Sequence, residues 1–291
     1  MSQVIQPTIG LSTPSPRVRR LTWQQVLGKI ASVVLIGLLT VYILGPLLVL
    51  LIWAFAKEWF YPALLPQAWT LSWWQTIFST GNFGHSILLS FLIAPVVTLA
   101  TAAICFPAAY GFSRYRFRGR WTMLISIFAI NSFPKMGIYI TLAGFFYGLH
   151  LIGTFPGVVI VQMLGTIVTA TWIPTAAFSA VPRELEEASR DAGAGAIRTF
   201  MRVTLPSAKP GLIIALILTF LSSLDEAQGT FIVGAPYYQT MPVVMYGLVN
   251  GYPEQAAAVF SVLLTLPSLI LLLFVRKYII GGAFASAFRL H

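Results

Sequence analysis

The sequence predicts an all-α integral membrane protein with six spanning helices and both termini on the cytoplasmic side. Three observations carry this: an apolar composition, six apolar runs of spanning length, and a one-sided distribution of basic residues. Of 291 residues, 57% are hydrophobic and 9% charged, with a mean hydropathy of +0.83. An ordinary globular domain carries roughly 25% charged residues, so these charges are too few to coat a water-soluble chain of this size. The same figures exclude a disordered, collagenous or disulfide-rich secreted chain. Cys105 is the single cysteine, which excludes an intrachain disulfide and a cysteine zinc site.

A spanning helix needs about 20 mostly apolar residues, because its backbone must satisfy its own hydrogen bonds across roughly 30 Å of hydrocarbon. The first such run extends from Ile30 to Phe55 without a charge. It exceeds a signal-peptide core and ends without a small-residue cleavage site, so it reads as an uncleaved anchor. The second covers Ser86 to Phe112, interrupted by Pro95 and Pro107. The third, Trp121 to Leu142, carries Pro134 and Lys135, and the fourth, Gly157 to Val181, contains Pro174. The fifth, Gly211 to Val233, carries Asp225 and Glu226, and the sixth covers Ala256 to Val275. The stretch through Pro16, rich in Ser, Thr and Pro, reads as a disordered lead-in.

The segments between the runs sort by charge. The N-terminal segment, the gaps after the second and fourth runs, and the C-terminal tail hold all basic residues except Lys57 and Lys135. Arg17, Arg19, Arg20 and Lys29 come first, then Arg114, Arg116, Arg118 and Arg120. Arg183, Arg190, Arg198, Arg202 and Lys209 follow, and Arg276, Lys277 and Arg289 close the chain. The positive-inside rule therefore places both termini in the cytoplasm. The opposite side carries Trp59-Phe60-Tyr61-Pro62 and Trp73-Trp74, which suit an interfacial belt. The net charge of +10 is thus topological and does not call for nucleic acid. The predicted organisation is a cytoplasmic segment 1–28, a six-span transmembrane domain 29–275 and a cytoplasmic tail 276–291.

One cytoplasmic loop, 182–210, differs from the others. Pro182 suits a first helical turn, and Glu184, Glu186 and Glu187 complement the positive end of the helix dipole. Gly193 and Gly195 allow a tight turn, and a second short helix is expected from Ala196 to Val203, ending before Leu205-Pro206. Read by itself, this is an amphipathic connector on the membrane surface. Its spacing is more informative: Glu187-Ala188-Ser189, three residues, Gly193, nine residues, Val203, one residue, Leu205-Pro206.

That spacing resembles the EAA loop of permease subunits from ATP-binding-cassette (ABC) importers, with Ser189 in place of the second Ala and Val203 in place of Ile. Ser113 to Arg120 is similar to the basic loop these permeases carry after their second span, and Ile138 to Thr154 to their outer segment between spans three and four. Arg276 to Gly282 is similar to the end of maltose-type carbohydrate permeases, although the following Ala-Phe-Ala-Ser-Ala-Phe-Arg-Leu-His departs from their tail. Pro62 to Leu71, and Leu224-Asp225-Glu226, look more like spermidine/putrescine and phosphonate-type permeases.

The resemblance implies the type I importer permease fold in a bacterial cytoplasmic (inner) membrane. It implies a second permease subunit, two copies of an ABC ATPase and an extracytoplasmic solute-binding protein as partners. ATP and Mg would bind the ATPases, so no cofactor is expected on this chain. Glu187, Ala188, Ser189, Gly193, Val203, Leu205 and Pro206 would couple to the ATPase. The solute would be a small polar organic molecule: a sugar or polyol, a polyamine, or a phosphonate-like compound.

Charges within a membrane are costly, at roughly 2.5–3.5 kcal/mol on insertion scales, so they usually face a partner or a wet cavity. Asp225 and Glu226, with Ser222, Ser223 and Gln228, form the most polar patch in any span. Adjacent helical residues point about 100° apart, so only one of the two acids is expected to face a solute path or its outer gate. The alternative is a structural role, in which one carboxylate pairs with the second permease or caps a helix break. Asn131 and Lys135 flank Pro134, whose missing donor invites a kink and leaves carbonyls for a polar solute. Lys135 is also placed to pair with Asp225 or Glu226. Tyr237, Tyr238 and Gln239 suit either a docking binding protein or an interface anchor.

Other classes fit less well. No Gly-x4-Gly-Lys-Ser/Thr loop occurs, since Gly28-Lys29 is followed by Ile30. His85, His150 and His291 are scattered, without metal spacing. An intramembrane enzyme would need clustered nucleophile, base or metal ligands. A stand-alone secondary transporter or channel would leave the EAA spacing without a role.

Overall fold

The computed structural model describes residues 23–60, 62–79, 81–251 and 253–278. The N-terminal lead-in with Arg17, Arg19 and Arg20, and the tail from residue 279, lie outside the described residues. The chain divides into two units, residues 1–49 and 50–291. The first contains most of helix α1 (Trp23–Trp53). Its apolar side chains, from Leu27 to Val49, are largely exposed.

The second unit begins with a short antiparallel hairpin of β1 (Ala56–Glu58) and β2 (Ala68–Trp69), with Ala56 opposite Trp69 and Glu58 opposite Ala68. The Trp59 indole donates to the Ala63 carbonyl at 2.8 Å, and that of Trp74, in α2 (Ser72–Ser79), to Ala54 at 2.9 Å. These tryptophans therefore tie the outer segment together.

Three long helices form the frame: α3 (Gly81–Arg114), α6 (Phe155–Ser179) and α9 (Leu205–Leu224). Ala109, Phe178, Val181, Ala208 and Leu212 form a buried apolar cluster towards one end of this trio, and Leu89, Ile93, Val97 and Val158 form another towards the other. Phe106, Tyr110 and Phe200 pack around the first. The sixth expected run is α12 (Glu254–Tyr278), which packs its buried Phe260 edge-on against Phe83.

The third span is broken, and not merely kinked, where the sequence places Pro134. α4 (Arg120–Ala129) passes through a 3-10 turn, Ile130–Ser132, and stops, and α5 (Lys135–Gly148) restarts at an angle of 103°. The cause is local. Phe133 is extended (φ −90°, ψ 147°), as a residue before proline prefers to be. Neither half is long enough to cross alone, at about 15 and 21 Å against roughly 30 Å of hydrocarbon.

The fifth span is corrected at both ends. It does not begin at Gly211: α8 (Ala196–Thr199) runs through a π turn, Phe200–Thr204, directly into α9. The expected stop before Leu205-Pro206 is absent because the wide turn accommodates a proline that can neither donate nor sit close under the preceding carbonyls. At the far end α9 stops at Leu224, and α10 (Gln228–Gly234) starts after a three-residue break. α11 (Met241–Gly251) follows.

Candidate functional site

The break between α9 and α10 places polar groups around a cavity of about 610 Å³. Asn131 reaches it from the 3-10 turn, Lys135 and Tyr139 from α5, Gly165 and Thr169 from α6, and Tyr246 from α11. Asp225 and Glu226 line it from the break itself, with Ser222 from the last turn of α9 and Gln228 from the start of α10. Asn131, Lys135, Ser222, Asp225 and Glu226, taken from two separate runs of the sequence, thus meet at one cavity.

The expectation that only one of Asp225 and Glu226 faces this space is corrected, since both line it. They are not consecutive helical residues: the helix has ended at Leu224, and Asp225 is its cap. Their environments differ sharply. Glu226 accepts from the Gly229 amide at 2.6 Å, the Thr230 amide at 2.9 Å and the Thr230 hydroxyl at 2.6 Å. It therefore satisfies the first amides of α10, which have no intrahelical partner. Asp225 is exposed, and its carboxylate has no hydrogen-bond partner among the described residues. The pairing expected for Lys135 is also corrected. Among the described residues the one ion pair is Arg114 with Glu186, although Lys135 lines the same cavity as both acids.

Sequence reading missed the support beneath Glu226. Gln162, fully buried in α6, donates through Nε2 to the Thr230 hydroxyl at 2.8 Å and accepts from Ser223 at 2.6 Å. A lone amide in an apolar span was the available signal, since buried polar groups need partners.

At the other end of the α8–α9 rod lies the loop. α7 (Arg183–Asp191) carries Glu184 and Glu186 in its first turn. Gly193 then adopts φ +86° and donates to the Arg190 carbonyl at 2.8 Å, closing the turn. Gly195 is extended at φ −67°, so only one of the two glycines uses the left-handed region. Ser189 and Thr199 hydrogen bond at 3.2 Å and join α7 to α8. Glu187, Ala188, Gly193 and Pro206 are exposed, while Ser189, Val203 and Leu205 are half-buried. Leu185, Ile197 and Met201 add exposed apolar surface.

Glu186, beside the acid singled out in the sequence, points inward and is 4% exposed. One of its oxygens, Oε1, accepts from Arg114 Nε at 2.9 Å and from the Thr204 hydroxyl at 2.7 Å, with Arg114 Nη2 2.8 Å away. Arg114 Nη2 also donates to the Val181 carbonyl at 3.0 Å. Beyond the far end of α9, Tyr237 and Gln239 are exposed, whereas Tyr238 is half-buried beside Phe155.

Residues 103–282 match the family model described as the binding-protein-dependent transport system inner membrane component. The chain belongs to that family. It is a permease, a membrane component of ABC importers, and not an enzyme. A trehalose/maltose transport system permease protein from Thermococcus litoralis is 27% identical over 274 residues, covering 91% of this permease and 99% of the relative. A putative ABC transporter permease protein from Streptomyces antibioticus is 30% identical, covering 77% and 99%. A bacterial ABC transporter that imports the acidic polysaccharide alginate contains a chain of the same fold, with a TM-score of 0.68 at 20% identity over 91% of this permease and 99% of that chain. The inward-facing methionine ABC transporter shares the fold at a TM-score of 0.55 and 18% identity, covering 68% and 99%. The type I importer permease fold expected from the sequence, and its inner-membrane setting, are therefore found.

Proposed function

We propose that this permease forms half of the membrane path of an importer for a carbohydrate, with the cavity at the α9–α10 break as part of that path. The observation that carries the reading is the arrangement along one helical rod. The exposed α7–Gly193–α8 elbow sits at its cytoplasmic end, and a polar cavity sits at its other end. Glu187 and the apolar Leu185, Ile197 and Met201 give the elbow a surface suited to an ATPase cleft. ATP and Mg belong to that ATPase, present in two copies. A second permease completes the path, and Tyr237 and Gln239 meet the solute-binding protein.

The cavity offers a carboxylate, an amide, hydroxyls and the rings of Tyr139 and Tyr246. These groups can exchange hydrogen bonds with sugar hydroxyls and pack against a sugar face. Two relatives support the carbohydrate class: the Thermococcus permease is named for trehalose and maltose, and a Bacillus subtilis permease 28% identical to this chain is named for maltodextrin. A polyamine or a phosphonate has no counterpart in those names.

The test is titration of the cognate binding protein with maltose, trehalose, alginate oligosaccharide, spermidine and a phosphonate, followed by uptake into proteoliposomes containing the whole complex. Binding and ATP-dependent uptake of at least one saccharide are expected. Uptake of spermidine or the phosphonate alone would overturn the substrate class, and uptake without ATP would overturn the importer reading.

A further inference from the structure

The Arg114–Glu186 ion pair stands far from the cavity and is not among the residues that the EAA spacing marks. Its position is unusual. Arg114 is the last residue of α3, and Val181, whose carbonyl it holds, follows the end of α6. Glu186 lies in α7 and Thr204 at the start of α9. One guanidinium and one carboxylate oxygen therefore join three spans to the cytoplasmic elbow. Arg183 adds a bond from α7 to the Arg114 carbonyl at 3.2 Å.

The side chains of Arg114 and Glu186 are 8% and 5% exposed. A buried pair of this kind is a weak source of stability, because desolvation offsets most of the attraction, yet losing one partner leaves an uncompensated charge. Its geometry is therefore held more firmly than its net energy suggests. α7 has few other ties to α3, and the apolar cluster beneath, around Phe178 and Leu212, already holds the three spans together. What the pair adds is the connection of α7 to that cluster.

We propose that Arg114, Glu186 and Thr204 are positioning residues that make the elbow move as one body with α3, α6 and α9, so that an ATPase acting on α7 shifts the cavity wall. This rests on the importer reading above. The test needs no knowledge of the solute. In the full complex, with Cys105→Ala to remove the native thiol, Ser222→Cys reports cavity access by maleimide labelling with and without vanadate-trapped nucleotide. In the otherwise unaltered permease, trapping is expected to change the labelling rate at least fivefold. With Glu186→Gln or Arg114→Met, the change is expected to fall below twofold while the ATPase still copurifies and traps nucleotide.

Thr204→Val keeps the ion pair and the side-chain shape, and is expected to give an intermediate response. It carries the test if the charge variants fail to assemble. A full labelling response in the assembled charge variants, or in Thr204→Val where those do not assemble, overturns the joint and leaves the importer reading intact. No copurifying ATPase with the unaltered permease overturns the importer reading, and the joint with it.

Discussion

Two pairs of adjacent acids, 186–187 and 225–226, show what single residues do here. In each pair one carboxylate serves the fold and the other is left available. Glu226 caps α10, whereas Asp225 has no partner among the described residues; Glu186 is buried on Arg114, whereas Glu187 is exposed. Removing a helix-capping acceptor costs about 1 kcal/mol, and Glu226→Ala would also weaken the Thr230–Gln162 chain. We expect that variant to lower the melting temperature of the purified complex, while Asp225→Asn leaves it unchanged. A hydrogen bond to a charged group contributes about 1.5–3 kcal/mol, so Asp225→Asn should reduce saccharide uptake roughly tenfold or more. Equal uptake in that variant and the parent would remove Asp225 from the path. The sequence marked Asp225 and Glu226 as costly charges in a span, and Glu186 and Glu187 as acids at a helix start. It could not show which was committed inward, because that depends on partners such as Arg114, 72 residues away.

At the scale of elements, the spans were legible from apolar length and the kink at Pro134 from its missing donor, whereas the full extent of the breaks was not. Prolines occur inside α1, α3, α6, α9 and α12 at Pro46, Pro95, Pro107, Pro174, Pro210 and Pro267 without ending the helix. Pro134 does end one. The residue type is the same, and the outcome depends on whether neighbouring groups satisfy the freed carbonyls. The elbow was legible in its first helix and in Gly193, since few residues besides glycine adopt φ +86° readily. Forcing a side chain there costs about 1–2 kcal/mol. Gly193→Val and Glu187→Lys should therefore insert normally and abolish uptake, measured together with ATPase copurification in the same membranes. Normal uptake in both would reduce the loop to a surface connector. Gly211 is a different case: a Cβ added there would lie 2.5 Å from the Ala177 Cβ. Gly211→Leu must push α9 away from α6, and an overpacked core typically loses about 1–3 kcal/mol. A lower yield and melting temperature of the complex are expected, with no change in either as the contrary result.

For the whole molecule, orientation follows from the basic segments alone. Single cysteines at Arg116 and Arg198 should label only from the cytoplasmic side, and those at Gln67 and Gln239 only from outside; all four positions are exposed. Reversed labelling at either pair would contradict the topology. Within that orientation, α8, the π turn and α9 form one helical run of 29 residues from Ala196 to Leu224. At 1.5 Å per residue it is about 43 Å long, and a tilt of only about 5° about one end swings the other by roughly 4 Å. Such a lever needs no relay of rotamer changes through the bilayer. It turns a small angular change at the elbow into a displacement larger than a water molecule at the wall formed by Ser222 and Asp225. Stiffness along the rod then matters as much as chemistry at either end.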